Sequence, residues 1–372
     1  MAPGAQPAYC QQEEFMKLIH CADLHLDSRM ESGLSSEKAQ ERRLELLRTF
    51  TRMVEQAEKE QVDAVLICGD LFDARTISVR ARNCVMDAVR MHPQIIFYYL
   101  QGNHDLNSLF DGSWKIPSNL KTFGADWTSY DQGNVTITGA ELSEENKDDL
   151  LKRLALNKNR QNIVMLHGML TEYGGKDQAD TFSVRDLRGK GIDYLALGHI
   201  HSYRLERLDD RGIWCYSGCM EGRGFDECGE KGYVALEVTK GKIASSFVPF
   251  AERRLHEVPV DITGLMTQEE IRRKVLQELA YIPKKDMVKL LLTGRVGLET
   301  ERDSAWVRKW LEDEYYFLKV KDETSVLIRP EDYQYDVSLK GEFVRLVLAS
   351  DLTDGEKEEI LQRGIRALAG EG

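Results

Sequence analysis

Nine side chains able to bind a metal or move a proton fall in five short stretches of this 372-residue chain. Asp23 and His25 lie in HCADLHLD, Asp70 and Asp73 in CGDLFD, Asn103 and His104 in GNHD, His167 closes NIVMLH, and His199 and His201 lie in GHIH. Alone, each has a plain explanation: an aspartate starts a turn or caps a helix, and a histidine ending a strand is ordinarily a satisfied polar residue. Together they do not, because five of the eight histidines follow strand-like apolar runs in one register. A joint metal site explains the recurrence. Carboxylate, amide and imidazole donors without a thiolate suit Mn²⁺ first, with Fe²⁺, Zn²⁺ or Mg²⁺ as alternatives. A carboxylate shared by two cations favours a binuclear centre, and Asp70 is the candidate bridge.

Donors at strand ends require the strands. Short β-type runs recur at 17–22, 62–68, 95–100, 135–140, 162–167, 193–198, 213–218, 232–238 and 243–250, and helices are expected at 36–60 and 78–91, where Leu44, Leu47, Phe50, Val54 and Ala57 repeat at helical spacing. This predicts an α/β domain over 16–250. The pattern then restarts as a small α+β unit over 251–335. Its first helix opens on a Thr267–Glu270 capping box and runs to residue 281. Residues 336–372 read as two terminal helices, the second opened by a Thr353–Glu356 box. Residues 1–15 show no periodicity and are expected to be a disordered extension.

Composition narrows the function. With 42% hydrophobic and 30% charged residues, and no apolar stretch near the roughly 20 residues that span a bilayer, the chain reads as soluble and cytoplasmic. Seven cysteines without a CxxC read as reduced thiols. A net charge of −12 argues against gripping nucleic acid by bulk electrostatics. A phosphate-rich substrate would need metal ions, a local basic run such as KRLALNKNR (152–160), or a partner subunit.

Four other features carry less. The Gly-rich run at 216–233 lacks the order of a phosphate-binding loop and reads as a turn region near the site. Arg223 within it reads as structural or merely exposed, with contact to a substrate phosphate as the alternative. Strand alternation points His20 with Ala22, away from Asp23. Trp306, Trp310, Tyr315, Tyr316 and Phe317 have the spacing of a small core.

The ordered series Asp-x-His, Gly-Asp-x-x-Asp, Gly-Asn-His-Asp, a lone His and Gly-His-x-His resembles the calcineurin-like metallophosphoesterase superfamily. HCADLHLD, GDLFDAR and GHIH most resemble its SbcD-like and YhaO-like group, relatives of the nuclease that processes DNA double-strand breaks. The resemblance implies a layered metallophosphoesterase β-sandwich flanked by helices, a C-terminal capping domain, and a metal-dependent DNA exonuclease and endonuclease. It implies a first metal on Asp23, His25, Asp70 and His201, and a second on Asp70, Asn103, His167 and His199. His104 matches the catalytic histidine, and Asp73 the carboxylate that orients it. Some double-strand-break nucleases carry histidine at the position of Asp73. The resemblance also implies DNA and an SbcC-like coiled-coil ATPase as partners, the latter docking on the terminal helices, and leaves a homodimer open. A small-molecule phosphodiesterase or phosphatase shares the site, although GDLFDAR and GNHD depart from the protein-phosphatase pattern. A non-catalytic scaffold is disfavoured because no ligand position is lost.

Overall fold

The computed structural model describes residues 15–30, 33–73, 77–105, 115–172, 180–297, 300, 303–311, 313–327 and 333–368. The expected N-terminal extension lies outside these residues, apart from Phe15. Two compact units divide after Arg254.

In chain order the first unit contains β1 (Met16–Cys21), α1 (Ser36–Lys59), β2 (Ala64–Cys68), α2 (Val79–Met91), β3 (Ile96–Leu100), β4 (Leu120–Thr122), β5 (Thr128–Gln132), β6 (Val135–Gly139) and α3 (Lys147–Arg153). It continues with β7 (Gln161–His167), β8 (Met169–Thr171), β9 (Thr181–Ser183), α4 (Val184–Leu187), β10 (Tyr194–Gly198), β11 (Arg204–Arg207), β12 (Ile213–Tyr216), β13 (Gly232–Thr239) and β14 (Lys242–Pro249). Two six-stranded sheets form, β14-β13-β1-β2-β3-β4 and β11-β12-β10-β7-β6-β5. Each has parallel strands at its centre. Those strands are buried on both faces, which explains why they read as continuous apolar runs rather than clean alternations.

Period-two alternation then sorts the core into three layers. Leu18, Leu66 and Tyr98 of the first sheet pack against Ile163, Met165 and Ala196 of the second. Ile19, Val65 and Phe97 face outward onto Phe50, Val54 and Val89 of α1 and α2. Val164, Leu195 and Trp214 face the other way, onto Leu151 and Leu187 of α3 and α4. The unit is a helix-flanked β-sandwich. Along α1, Leu44 is only half-buried, while Leu46 and Met53 complete the buried stripe. The polar edge strands β5 and β11, and the short β4, β8 and β9, lack the apolar runs that mark the others.

His20 lies between the sheets. Its Nε2 is 3.2 Å from the Leu197 carbonyl oxygen and its Nδ1 is 2.9 Å from the Tyr194 hydroxyl. A carbonyl only accepts, so Nε2 carries the hydrogen and Nδ1 accepts from Tyr194: a neutral ring. Burial pushes its pKa down to about 3, against the backbone bond to Leu197 that raises it. The unfolded chain therefore takes up a proton that the folded chain refuses between the ordinary pKa near 6.5 and about 3, and stability falls across that window as pH drops. The slope is about 1.4 kcal/mol per pH unit. We expect the melting temperature of His20→Gln to fall less steeply than wild type from pH 6.5 to 4.5, whatever its offset at neutral pH. Parallel curves for the two proteins would contradict the assignment.

The second unit holds β15 (Leu255–Asp261), α5 (Gln268–Leu279), β16 (Met287–Thr293), β17 (Arg295–Val296), α6 (Ser304–Leu311), β18 (Phe317–Asp322), β19 (Ser325–Val326), α7 (Leu339–Leu348) and α8 (Asp354–Leu368). β15, β16 and β18 form a parallel three-stranded sheet. Its core joins Val260, Leu290, Ile271 and Val307, with Trp306, Trp310 and Tyr315 packed against it. Both capping boxes close, Thr267 with Glu270 and Thr353 with Glu356. The helices α7 and α8 share a small separate core of Val344, Val347, Leu361 and Ile365 with Tyr333. No described helix is long and apolar enough to cross a membrane.

Candidate metal centre

Because β1, β2 and β3 are parallel neighbours, their C-terminal ends open on one edge of the first sheet. Asp23 and His25 leave β1, Asp70 and Asp73 leave β2, and Asn103 and His104 leave β3. Across the sandwich, the parallel neighbours β7 and β10 end at His167 and lead into His199 and His201. The loops after β1 and β2 are laced together: the Asp23 amide donates to the Gly69 carbonyl at 3.1 Å and the His25 amide to that of Asp70 at 2.9 Å. Asp23, His25, Asp70 and His199 hold positive φ values of 52°, 45°, 51° and 103°, conformations that non-glycine residues keep only where the surroundings enforce them. Two glycines permit the close approach. A Cβ on Gly198 would stand 1.8 Å from the Cys68 carbonyl oxygen, and one on Gly69, itself at φ 86°, would stand 2.2 Å from His167 Nδ1.

All nine side chains singled out above meet at this seam. Asp23, His25 and His201 offer atoms within 4.8 Å of one another, as do Asp23, Asp70 and His167. His25 Nε2 faces His201 Nε2 at 3.2 Å and Asp70 Oδ2 at 3.7 Å. His167 Nε2 faces Asn103 Oδ1 at 2.9 Å and Asp70 Oδ2 at 3.4 Å. The His199 ring packs edge-on against that of His167, with centroids 5.4 Å apart, and its amide donates to Asp23 Oδ1 at 2.8 Å. His104 stands to one side, half-exposed, its Nδ1 3.1 Å from Asp73 Oδ1. The Asp70 carboxylate also accepts the His104 amide at 3.0 Å.

The donors fit divalent cations. His167 Nδ1 donates to the Cys68 carbonyl at 2.9 Å, which turns the other nitrogen toward two oxygens that are themselves acceptors. Such a set is satisfied only by an extra proton or a cation among the donors. Without a metal the proton takes that place. Burial opposes it, but the hydrogen bond and charge of Asp70 raise the His167 pKa to about 9. Asp70 moves the opposite way: burial would raise it, yet His167, His25 and the His104 amide hold it well below the usual carboxylate range. Buried His25 Nδ1 has no hydrogen-bond partner, the Asp73 carboxylate lying 3.6 Å away.

Four residues outside the sequence-derived set complete the surroundings. Asp105, fully buried, accepts the amides of Leu71, Phe72 and Gly102 and braces the β2 and β3 loops. Asp180 lies 3.5 Å from His199 Nε2. Glu227 accepts from His201 Nδ1 at 2.7 Å, and Arg223 reaches Glu227 and Asp73. Asp105 is marked in the sequence as the last residue of GNHD, and Arg223 and Glu227 only as members of the Gly-rich turn region near the site. Their partners, and the place of Asp180, depend on the path of the chain.

The family model described as calcineurin-like phosphoesterase matches residues 16–203. The chain is 28% identical over 298 residues to the uncharacterized metallophosphoesterase YhaO of Bacillus subtilis, covering 75% of this chain and 72% of that protein. It is 26% identical over 301 residues to the DNA double-strand break repair protein Mre11 of Sulfurisphaera tokodaii, covering 75% and 74%. It is 28% identical over 305 residues to the Mre11 of Aeropyrum pernix, covering 74% and 72%. With the family match spanning every candidate donor from Asp23 to His201, the chain belongs to the calcineurin-like phosphoesterases, metal-dependent phosphoester hydrolases with a dimetal site.

Proposed function

We propose that this protein is a DNA exonuclease and endonuclease that acts in cytoplasmic DNA repair with two bound divalent cations, Mn²⁺ foremost. The observation that carries the reading is likeness over about three quarters of the chain to the DNA double-strand break repair proteins of Sulfurisphaera tokodaii and Aeropyrum pernix. Asp23, His25, Asp70 and His201 would hold the first cation, and Asp70, Asn103, His167 and His199 the second. When bound, the pair supplies an acidified water and neutralises charge on the phosphoryl oxygens. His104 donates Nδ1–H to Asp73, which leaves Nε2 of a half-exposed ring to protonate the leaving oxygen. The hydrogen bond that His104 donates to Asp73 raises the His104 pKa against partial burial and so favours the acid form.

Three of the four basic side chains in the run at 152–160 are already paired. Lys152, Arg153 and Arg160 pair with Asp149, Asp126 and Asp131. Arg160 also grips the carbonyls of Gly133 and Val135 in the β5–β6 hairpin. Neutralisation then falls to the metals and to a partner, for which an SbcC-like coiled-coil ATPase fits. Exposed Leu339 and Leu346 on α7 and Ile360 on α8 offer that partner an apolar face.

The test compares substrates. The full chain loaded with Mn²⁺ should degrade linear duplex DNA faster, per active site, than bis(p-nitrophenyl) phosphate. The reverse order, with duplex DNA left intact, would instead indicate a phosphodiesterase for small molecules.

A further inference from the structure

The Gly-rich segment between β12 and β13 is anchored at one end and directed at the site at the other. Its anchor is buried. Arg42 and Glu45 of α1 form an ion pair with almost no solvent contact, and Arg42 also donates to the Gly222 carbonyl at 2.8 Å and to Glu221 at 3.4 Å. Glu221, also buried, accepts from the Thr49 hydroxyl at 2.7 Å. Breaking such a buried pair strands a charge, so the segment has little freedom to drift from α1.

From that anchor the chain reaches into the metal centre. Glu227 is buried, and its Oε1 lies 2.7 Å from His201 Nδ1. Its Oε2 accepts the Arg223 amide at 2.7 Å. The Arg223 guanidinium then spans two carboxylates, Glu227 Oε1 at 2.8 Å and Asp73 Oδ2 at 3.1 Å. Lys231 donates to the His201 carbonyl at 2.6 Å, so this histidine is held through both ring and backbone. Since a carboxylate accepts, His201 Nδ1 is the protonated nitrogen, and the Nε2 lone pair is turned toward His25 Nε2 at 3.2 Å.

We propose that Glu227 and Arg223 are positioning residues for this site. Glu227 holds His201 in its metal-binding tautomer and orientation, and Arg223 ties that carboxylate to Asp73. One short segment thereby sets the first metal position and the proton-transfer pair together. The inference rests on the two-metal reading of the site, but not on DNA being the substrate.

The test titrates Mn²⁺ into metal-stripped full-length protein by calorimetry, with Co²⁺ absorption spectra reporting ligand geometry. Glu227→Ala should weaken one of the two equivalents by about 10–100-fold and alter the Co²⁺ spectrum, while the other equivalent stays close to wild type. Glu227→Gln, whose amide oxygen still accepts from Nδ1, should recover most of that affinity. Arg223→Ala should keep both equivalents but lower kcat on bis(p-nitrophenyl) phosphate by about tenfold with KM little changed. Should Glu227→Ala not fold, Glu227→Asp keeps the charge but withdraws its oxygen from Nδ1, and it must weaken the same equivalent. Two wild-type affinities and an unchanged spectrum in the folded Glu227 variant would overturn the proposal, as would an unchanged kcat in Arg223→Ala. Because the titration needs no substrate, failure to cut DNA leaves its outcome separately readable.

Discussion

Asp70→Ala is expected to abolish binding of both metal equivalents at once. Its buried carboxylate is the one proposed donor common to both positions, with Oδ2 3.7 Å from His25 Nε2 on one side and 3.4 Å from His167 Nε2 on the other. Removing it takes away the anionic oxygen that both positions share and that would offset the charge of either cation. The loss of activity should exceed the roughly 10–100-fold that follows removal of a ligand's supporting partner. His201→Ala removes a donor from the first position only and should leave one equivalent behind. Asp70 also accepts the His104 amide, so Asp70→Asn serves as the control that keeps an acceptor in place while removing the charge. Metal analysis after dialysis decides: two equivalents retained by Asp70→Ala would refute the bridging role.

His104→Ala should separate chemistry from metal binding. His104 is none of the proposed metal donors, and its Nδ1 faces Asp73 at 3.1 Å, so metal content should stay near wild type while turnover falls by roughly 10²-fold or more, the scale of losing a general acid. Asp73→Asn should cost less and change the pH profile in a defined direction. The Asp73 hydrogen bond is the largest contribution raising the His104 pKa. An acid works only while protonated, so activity falls as pH rises through that pKa. Weakening the bond lowers it, and the alkaline limb of the kcat profile should move to lower pH. Metal loss in step with activity in His104→Ala would make His104 a ligand instead, and an unmoved alkaline limb in Asp73→Asn would remove Asp73 from the proton-transfer pair.

Much of this architecture is legible locally. Strands such as Gln161–His167 and Tyr194–Gly198 are continuous apolar runs because parallel strands buried on both faces must be. The edge strand Arg204–Arg207 is exposed throughout and carries no such run, so nothing in its composition separates it from a loop. His20 was set apart from Asp23 by alternation alone, and it does lie between the sheets against Tyr194. The candidate donors were legible for a similar reason: parallel strands bring their C-terminal ends to one edge, so polar residues that follow several of them share a neighbourhood.

What the sequence determined by itself was therefore the kind of chemistry, through donor types at strand ends, and the layered α/β class, through periodicity. Only the tertiary structure decided that the ends of two separate sheets meet, bringing His25 and His201, 176 positions apart, to 3.2 Å. It also decided that Gly198 and Gly69 leave the space for that meeting, and that Glu227 and Arg223 stand behind His201 and Asp73. The physical reason is the range of the forces concerned. Alternation and capping are written in neighbouring residues, whereas the seam follows from how two sheets and α1 fill a common volume, a sum over contacts that no local pattern contains.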